Sequence, residues 1–326
     1  MTKRAKYTVS GVIVLIIVVV ILGFLFSGGK KKPSLETVRI GSFSTAIDYA
    51  PYLVAKSQKW FEEELRKQGV NVEYTTFESL PPINESFETG RVDAVFEAEP
   101  PAIVGRAAGI DIRIIGISCS LTQEIIVPST STVKEASELK GKKIAVLAGT
   151  SSHYGLLKIA QAAGLTNNDL KIIDLRPPDA KSAFETGQVD GWAVWPPWVE
   201  QEIIAGKGRV LPKGDAQIHS ILAVRGPFAD AHPDLASSLV AVLERAKEWI
   251  RNHPSEAQQI VAQELNLDPK VVALSWSKHA WDAQLTDAVT TDIQAKADFL
   301  SQQGTIRRAV NVKTDLIKPL QAVVKP

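Results

Sequence analysis

The sequence predicts an α/β chain of two lobes, each a mainly parallel sheet flanked by helices, behind an N-terminal transmembrane helix. Three observations carry this: an apolar N-terminal run between basic flanks, a segment that occurs twice, and strand-like runs that alternate with helical stretches around both copies.

Lys3, Arg4 and Lys6 precede the run Gly11 to Phe26, and nothing charged interrupts Tyr7 to Phe26. About 20 residues rising 1.5 Å each cross a hydrocarbon core of ~30 Å. A cleaved signal peptide has the same charged front and apolar middle. No A-x-A-like cleavage site follows Phe26, however, and no cysteine stands there to take a lipid. Residues 1–33 therefore read as a membrane anchor or a signal segment, with an uncleaved anchor favoured, followed by the basic linker Lys30 to Lys32.

Phe87-Glu-Thr-Gly-Arg-Val-Asp-Ala-Val95 recurs as Phe184-Glu-Thr-Gly-Gln-Val-Asp-Gly-Trp192, and each copy leads into a Pro-Pro pair, Pro100-Pro101 and Pro196-Pro197. Two copies are too few for a solenoid and indicate two lobes on one plan. In the first lobe a strand Val38 to Gly41 leads through a loop, Ser42 to Asp48, to a helix over Ala50 to Lys67 and a strand Val72 to Thr76. In the second, the strand is Lys143 to Leu147, the loop Ala148 to Ser152, the helix His153 to Ala163 and the next strand Lys171 to Asp174. Beyond a strand at Ser220 to Val224, helical patterns follow over Pro233 to Arg251, Pro254 to Leu265, Pro269 to His279 and Thr286 to Gln303. A strand near Ile221 that returns to the first lobe lets these helices complete it.

Composition narrows the function. Basic and acidic residues number 37 and 36, so no strong field draws the chain to nucleic acid. Cys119 is the single cysteine, and the five histidines show no HxxxH or HExxH spacing. Neither a disulfide framework nor a zinc centre is expected, and no metal or cofactor is assigned.

Ligands of parallel sheets sit at the carboxyl ends of the strands, so two such ends facing one another make a cleft. The loop Gly149-Thr-Ser-Ser-His153 brings a helix N-terminus together with the hydroxyls of Thr150, Ser151 and Ser152 and with His153, an arrangement suited to an anion. The first-lobe loop offers Ser44, Thr45 and Asp48 from the opposite wall. Glu99 before Pro100 and Trp195 before Pro196 are expected to point into the cleft, with Trp195, backed by Trp192 or Trp198, packing the apolar body of a ligand. Glu97 and Glu99 favour a zwitterion, or else they pair with Arg106.

Gly149-Thr-Ser-Ser-His-Tyr-Gly-Leu-Leu157, Pro177-Pro-Asp-Ala180, the Phe184 to Trp195 segment and Pro100-Pro101 with Ala107-Ala-Gly109 resemble the aliphatic-sulfonate, taurine and nitrate-binding proteins of ABC importers. The resemblance covers Val38 to Val310. It implies the type II periplasmic-binding-protein fold, with lobe one over residues 36–120 and again over 221–326, and lobe two over 121–220. It also implies capture of a small organic anion or zwitterion by hinge closure, for an ABC permease and ATPase. The chain is expected outside the cytoplasm, as a monomer. Relatives often carry Trp-Asp-Pro or Trp-Ala-Pro where this chain has Trp195-Pro196-Pro197, which removes one carboxylate able to bind an amine. The same fold also carries desulfinases and pyrimidine-precursor synthases, so an enzyme with Cys119 as nucleophile is the rival reading, and a ligand sensor is a third.

Overall fold

The computed structural model describes residues 35–317 except positions 44, 79, 213 and 215. The predicted anchor lies outside the described residues, and no helix among those described is long and apolar enough to cross a membrane.

From the N-terminal side, β1 (Thr37–Phe43) is followed by a 3-10 turn at Ile47–Tyr49, α1 (Ala50–Ser57), α2 (Trp60–Arg66) and β2 (Asn71–Phe77). The single helix expected over Ala50 to Lys67 is two helices, because Lys59 takes a left-handed conformation (φ 59°) that breaks the run. Next come α3 (Leu80–Thr89), β3 (Ala94–Ala98), α4 (Glu99–Ala108) and β4 (Ile112–Thr122). The chain then enters a second sheet through β5 (Glu124–Pro128) and continues with β6 (Lys143–Val146), α5 (Ser151–Ala162), β7 (Lys171–Asp174), α6 (Pro177–Glu185), β8 (Gly191–Val194), α7 (Trp198–Ile204) and β9 (Gly208–Val210). It returns through β10 (Gln217–Arg225) and ends in α8 (Gly226–Ala231), α9 (Pro233–Asn252), α10 (Pro254–Glu264), α11 (Pro269–Trp276) and α12 (Asp287–Gln302).

The two five-stranded sheets have the orders β2-β1-β3-β10-β4 and β7-β6-β8-β5-β9. In each, the first three strands are parallel, and the fourth is a strand of the crossover, antiparallel to both neighbours. The duplicated sequence segments form α3 with β3 in one sheet and α6 with β8 in the other, at matching places in the order.

Periodicity explains the coverage. In α9, Leu235, Leu239, Val242, Leu243, Ala246 and Ile250 recur at three- and four-residue spacing and are all buried. Each large side chain of this stripe contributes ~1.5–3 kcal/mol by leaving water. Helices α9 and α10 pack on α1, and α9 also on α2 and β4, while α11 packs on α10 and on α7 of the second sheet.

The two crossovers lie side by side. Gln123 N–H donates to the Ala216 carbonyl (2.9 Å), and Thr122 and Gln217 begin the β4–β10 ladder beside it. Helix α5 is seated against this point: a Cβ on Gly155 would stand 2.5 Å from Gln123 Cβ and 2.8 Å from Cγ. In an ordinary helix interior, alanine is better than glycine by ~0.5–1 kcal/mol. Here overpacking reverses the sign, and Gly155→Ala is expected to destabilise the protein by ~1–3 kcal/mol in urea unfolding. A midpoint equal to or above wild type would contradict this seating.

Candidate functional site

The residues following four parallel strands meet around one cavity. Phe43, Asp48 and Tyr49 come from the end of β1 and the turn after it, Glu97 and Ala98 from the end of β3, Thr150 and Ser151 from the loop after β6, and Trp195 from just beyond β8. The empty volume is about 320 Å³, counting the mouth. Trp195 closes one side: its indole Nε1–H donates to the Thr45 carbonyl (3.0 Å), and its ring meets that of Phe43 edge-on at 5.6 Å. A residue of the second sheet is thereby clasped to the loop of the first. Lys278, past the end of α11, also joins the lobes, binding Glu124 (2.5 Å) and Glu200 (2.6 Å).

The helix start decides what each residue of the Thr-Ser-Ser-His loop does. Helix α5 begins at Ser151, two residues earlier than the sequence pattern indicates, which makes Thr150 the N-cap. Its hydroxyl accepts from His153 N–H (3.4 Å) and donates to the Leu147 carbonyl (2.6 Å). The first-turn N–H groups have no partner within a helix, so the cavity receives a positive helix end with Thr150 and Ser151 at its wall. Ser152, turned about 100° further round the helix, instead donates to Gln123 Oε1 (2.8 Å). His153 braces its own loop, with Nδ1 accepting from Gly149 N–H (3.2 Å). Burial lowers its pKa, which favours the neutral ring that this bond needs.

No described residue lining the cavity is basic. Asp48 is held within the first lobe, Oδ1 facing His279 Nε2 (3.1 Å) and Oδ2 accepting from Ser220 Oγ (3.2 Å). The other His279 ring nitrogen faces the Ser275 carbonyl (3.0 Å). Glu97 differs. It is 2% exposed, Oε1 has no hydrogen-bond partner, and burial pushes its carboxyl up to about 8.

Glu99 does not line the cavity. It is the first residue of α4, fully buried, with Oε1 accepting from Lys296 Nζ (2.7 Å) and His219 N–H (2.9 Å). Lys296 also pairs with Asp292, and His219 Nε2 lies 2.9 Å from that carboxylate. Arg106, the alternative partner considered for both glutamates, binds Asp111. Trp192 is core, its ring against Phe184 and Trp198. Thr45 contributes its carbonyl to Trp195, and Ser44 lies outside the described residues. Of the candidates, the structure brings together Asp48, Glu97, Thr150, Ser151 and Trp195, and not Glu99, Ser152, His153 or Trp192.

Phe43, Tyr49 and Ala98 were missed. Ala98 had a signal: it stands eleven positions after Phe87, as Trp195 does after Phe184. Matching the Pro-Pro pairs instead shifts the comparison by one and selects Glu99.

A model of the NMT1-like family matches residues 31–266. The chain belongs to the NMT1-like family. A relative from Bacillus subtilis (strain 168), named for binding aliphatic sulfonates, is 32% identical over 311 residues that cover 93% of each chain. The taurine-binding periplasmic protein of Escherichia coli (strain K12) is 24% identical, with 80% of this chain and 86% of that one covered. The crystal structure of the periplasmic aliphatic sulphonate binding protein SsuA from Escherichia coli matches with a TM-score of 0.77 at 26% identity, over 90% of this chain and 96% of that one. The two-sheet α/β fold is thus that of SsuA.

Two outcomes follow from the buried carboxyls. Removing Lys296 leaves the Glu99 charge buried without its cation, so Lys296→Met is expected to cost ~3–5 kcal/mol in denaturant unfolding. A loss within error would contradict the pairing. For Glu97, folding favours the neutral acid, a contribution complete below 4.5 and lost as pH rises through about 8. The melting temperature of Glu97→Gln should therefore gain on wild type as pH is raised across that window. A constant difference would show that Glu97 titrates normally.

Proposed function

We propose that this NMT1-like chain is the extracytoplasmic solute-binding component of an ABC importer, and that it takes a small organic anion of the aliphatic sulfonate or taurine type between its two sheets. One observation carries the reading: a single small cavity receives a helix N-terminus and two hydroxyl residues from one sheet and an aromatic, acidic wall from the other, with Trp195 bonded across it. An anionic head finds N–H donors and the positive end of α5. Its apolar body finds Phe43 and Trp195. The names of the relatives support the same ligand class.

Glu97 sets what else the ligand carries. While neutral, it donates its O–H to an anionic oxygen; once ionised, it accepts from an amine. Simple alkanesulfonates should bind more weakly as pH rises past about 8, and amine-bearing ones less so.

Binding without turnover fits the state of Cys119. Its thiol is fully buried, donates to the Asp48 carbonyl (3.4 Å), and burial pushes its pKa well above the ordinary value. A neutral thiol pointing into the lobe is a poor nucleophile. The apolar segment 7–26 serves in this reading as a membrane tether that keeps a monomeric receptor beside its permease.

Calorimetry against ethanesulfonate, taurine, nitrate and bicarbonate tests the proposal. Binding of a sulfonate is expected, weakened by ~1–3 kcal/mol in Ser151→Ala and in Trp195→Ala through loss of a charge-assisted hydrogen bond or an aromatic wall. Unchanged affinity in both variants, or silence toward every small anion, would overturn it.

A further inference from the structure

A second chamber adjoins the cavity. Phe43 and Tyr49 form walls of both, so these two side chains are the partition between them. The chamber has an empty volume of about 610 Å³, counting its mouth, and belongs wholly to the first lobe. Its floor is the carboxyl end of β1 and β2, where Ser42 and Thr76 are cross-strand partners and so share a face of the sheet. That is where an open parallel sheet takes its ligand. Its other walls carry Tyr52, Lys56, Glu78 and, from the end of α10, Glu264.

The chemistry of this lining is specific. Hydroxyls from Ser42, Thr45, Thr76 and Tyr52 make it a hydrogen-bonding surface rather than a greasy slot. Its carboxylates outnumber its cations: Lys56 is paired with Glu264 (3.0 Å), which leaves Glu78 as the excess charge. A second anion is disfavoured there, and a hydroxyl or amine is favoured.

We infer that the natural ligand is two-ended, with its anionic head in the cavity between the sheets and a polar tail bearing an amine or hydroxyl passing between Phe43 and Tyr49 into this chamber. The inference rests on the proposed function for the head and adds the class of the tail. Because every wall comes from one lobe, the chamber is present whether or not the two sheets close on one another.

The experiment compares ethanesulfonate, hexanesulfonate and 6-aminohexanesulfonate by calorimetry on wild type, Thr76→Trp and Leu265→Trp, the first filling the chamber from its floor and the second from Leu265, which lines it beside Glu264. Wild type is expected to bind the amine-tailed sulfonate about tenfold or more tighter than ethanesulfonate. Both variants should lose that gain while holding ethanesulfonate within about twofold, which also shows that they fold. The inference is overturned if the tail brings no gain in wild type, if the gain survives both fillings, or if hexanesulfonate gains as much. If ethanesulfonate binds and the tail adds nothing, only the tail assignment fails; if no sulfonate binds wild type, the head-group reading fails and takes the tail with it.

Discussion

The architecture depends on a single backbone constraint: the two passages between the sheets run side by side and are hydrogen-bonded to each other, Gln123 to Ala216, at the point where the β4–β10 ladder ends. A single linker would leave each sheet free to swivel. Two paired strands restrict relative motion to a bend about one line, the geometry of a hinge. The same pairing fixes which ends of the sheets confront one another. The residues after β1, β3, β6 and β8 all reach one cavity because each lies at the carboxyl end of a parallel strand. Trp195, bonded to the Thr45 carbonyl, ties the two sheets together across the cavity.

The electrostatics of the cavity follow from a wall that carries no basic side chain among the described residues. Positive potential comes from the N-terminus of α5, a fixed dipole that needs no counter-ion and holds no long flexible side chain in place. Acidic groups near the site are then a liability, and each is handled differently. Asp48 is hydrogen-bonded to His279 and Ser220, Glu99 is paired with Lys296, and burial pushes the Glu97 carboxyl up to about 8. Of these three acids, Glu97 and Asp48 line the cavity, and Glu97 Oε1 is there without a hydrogen-bond partner. In the proposed function this acid distinguishes ligands by whether they bring a donor or an acceptor to it.

Much of this was legible in the sequence because it is written twice. The Phe-Glu-Thr-Gly repeat placed β3 and β8 in equivalent positions, and the alternation of strands and helices gave two sheets. Thr150, Ser151 and Trp195 were readable because a strand-to-helix loop and a strand end are where ligands collect. The errors arose where periodicity changes. Glu97 and Glu99 lie two apart and would share a face in a strand, yet β3 ends at Ala98 and Glu99 is already helical, so its carboxylate swings to Lys296. Ser152 and His153 failed for a related reason: a helix start two residues early rotates them away from the cleft. Trp192, expected behind Trp195, sits inside β8 with its ring among Phe184 and Trp198 and does not line the cavity. Phe43 and Tyr49 carry no local signal, since their place in the wall depends on how the loop after β1 folds against the other sheet.

In the proposed function an anionic head lies at the first turn of α5, between the two sheets. A crystal structure of the protein with ethanesulfonate tests it most directly. Sulfonate oxygens are expected within about 3.2 Å of the first-turn N–H groups and the Ser151 hydroxyl, with Trp195 against the ethyl group. A sulfonate seated on another surface, or a cleft that stays empty at saturating ligand, would contradict it.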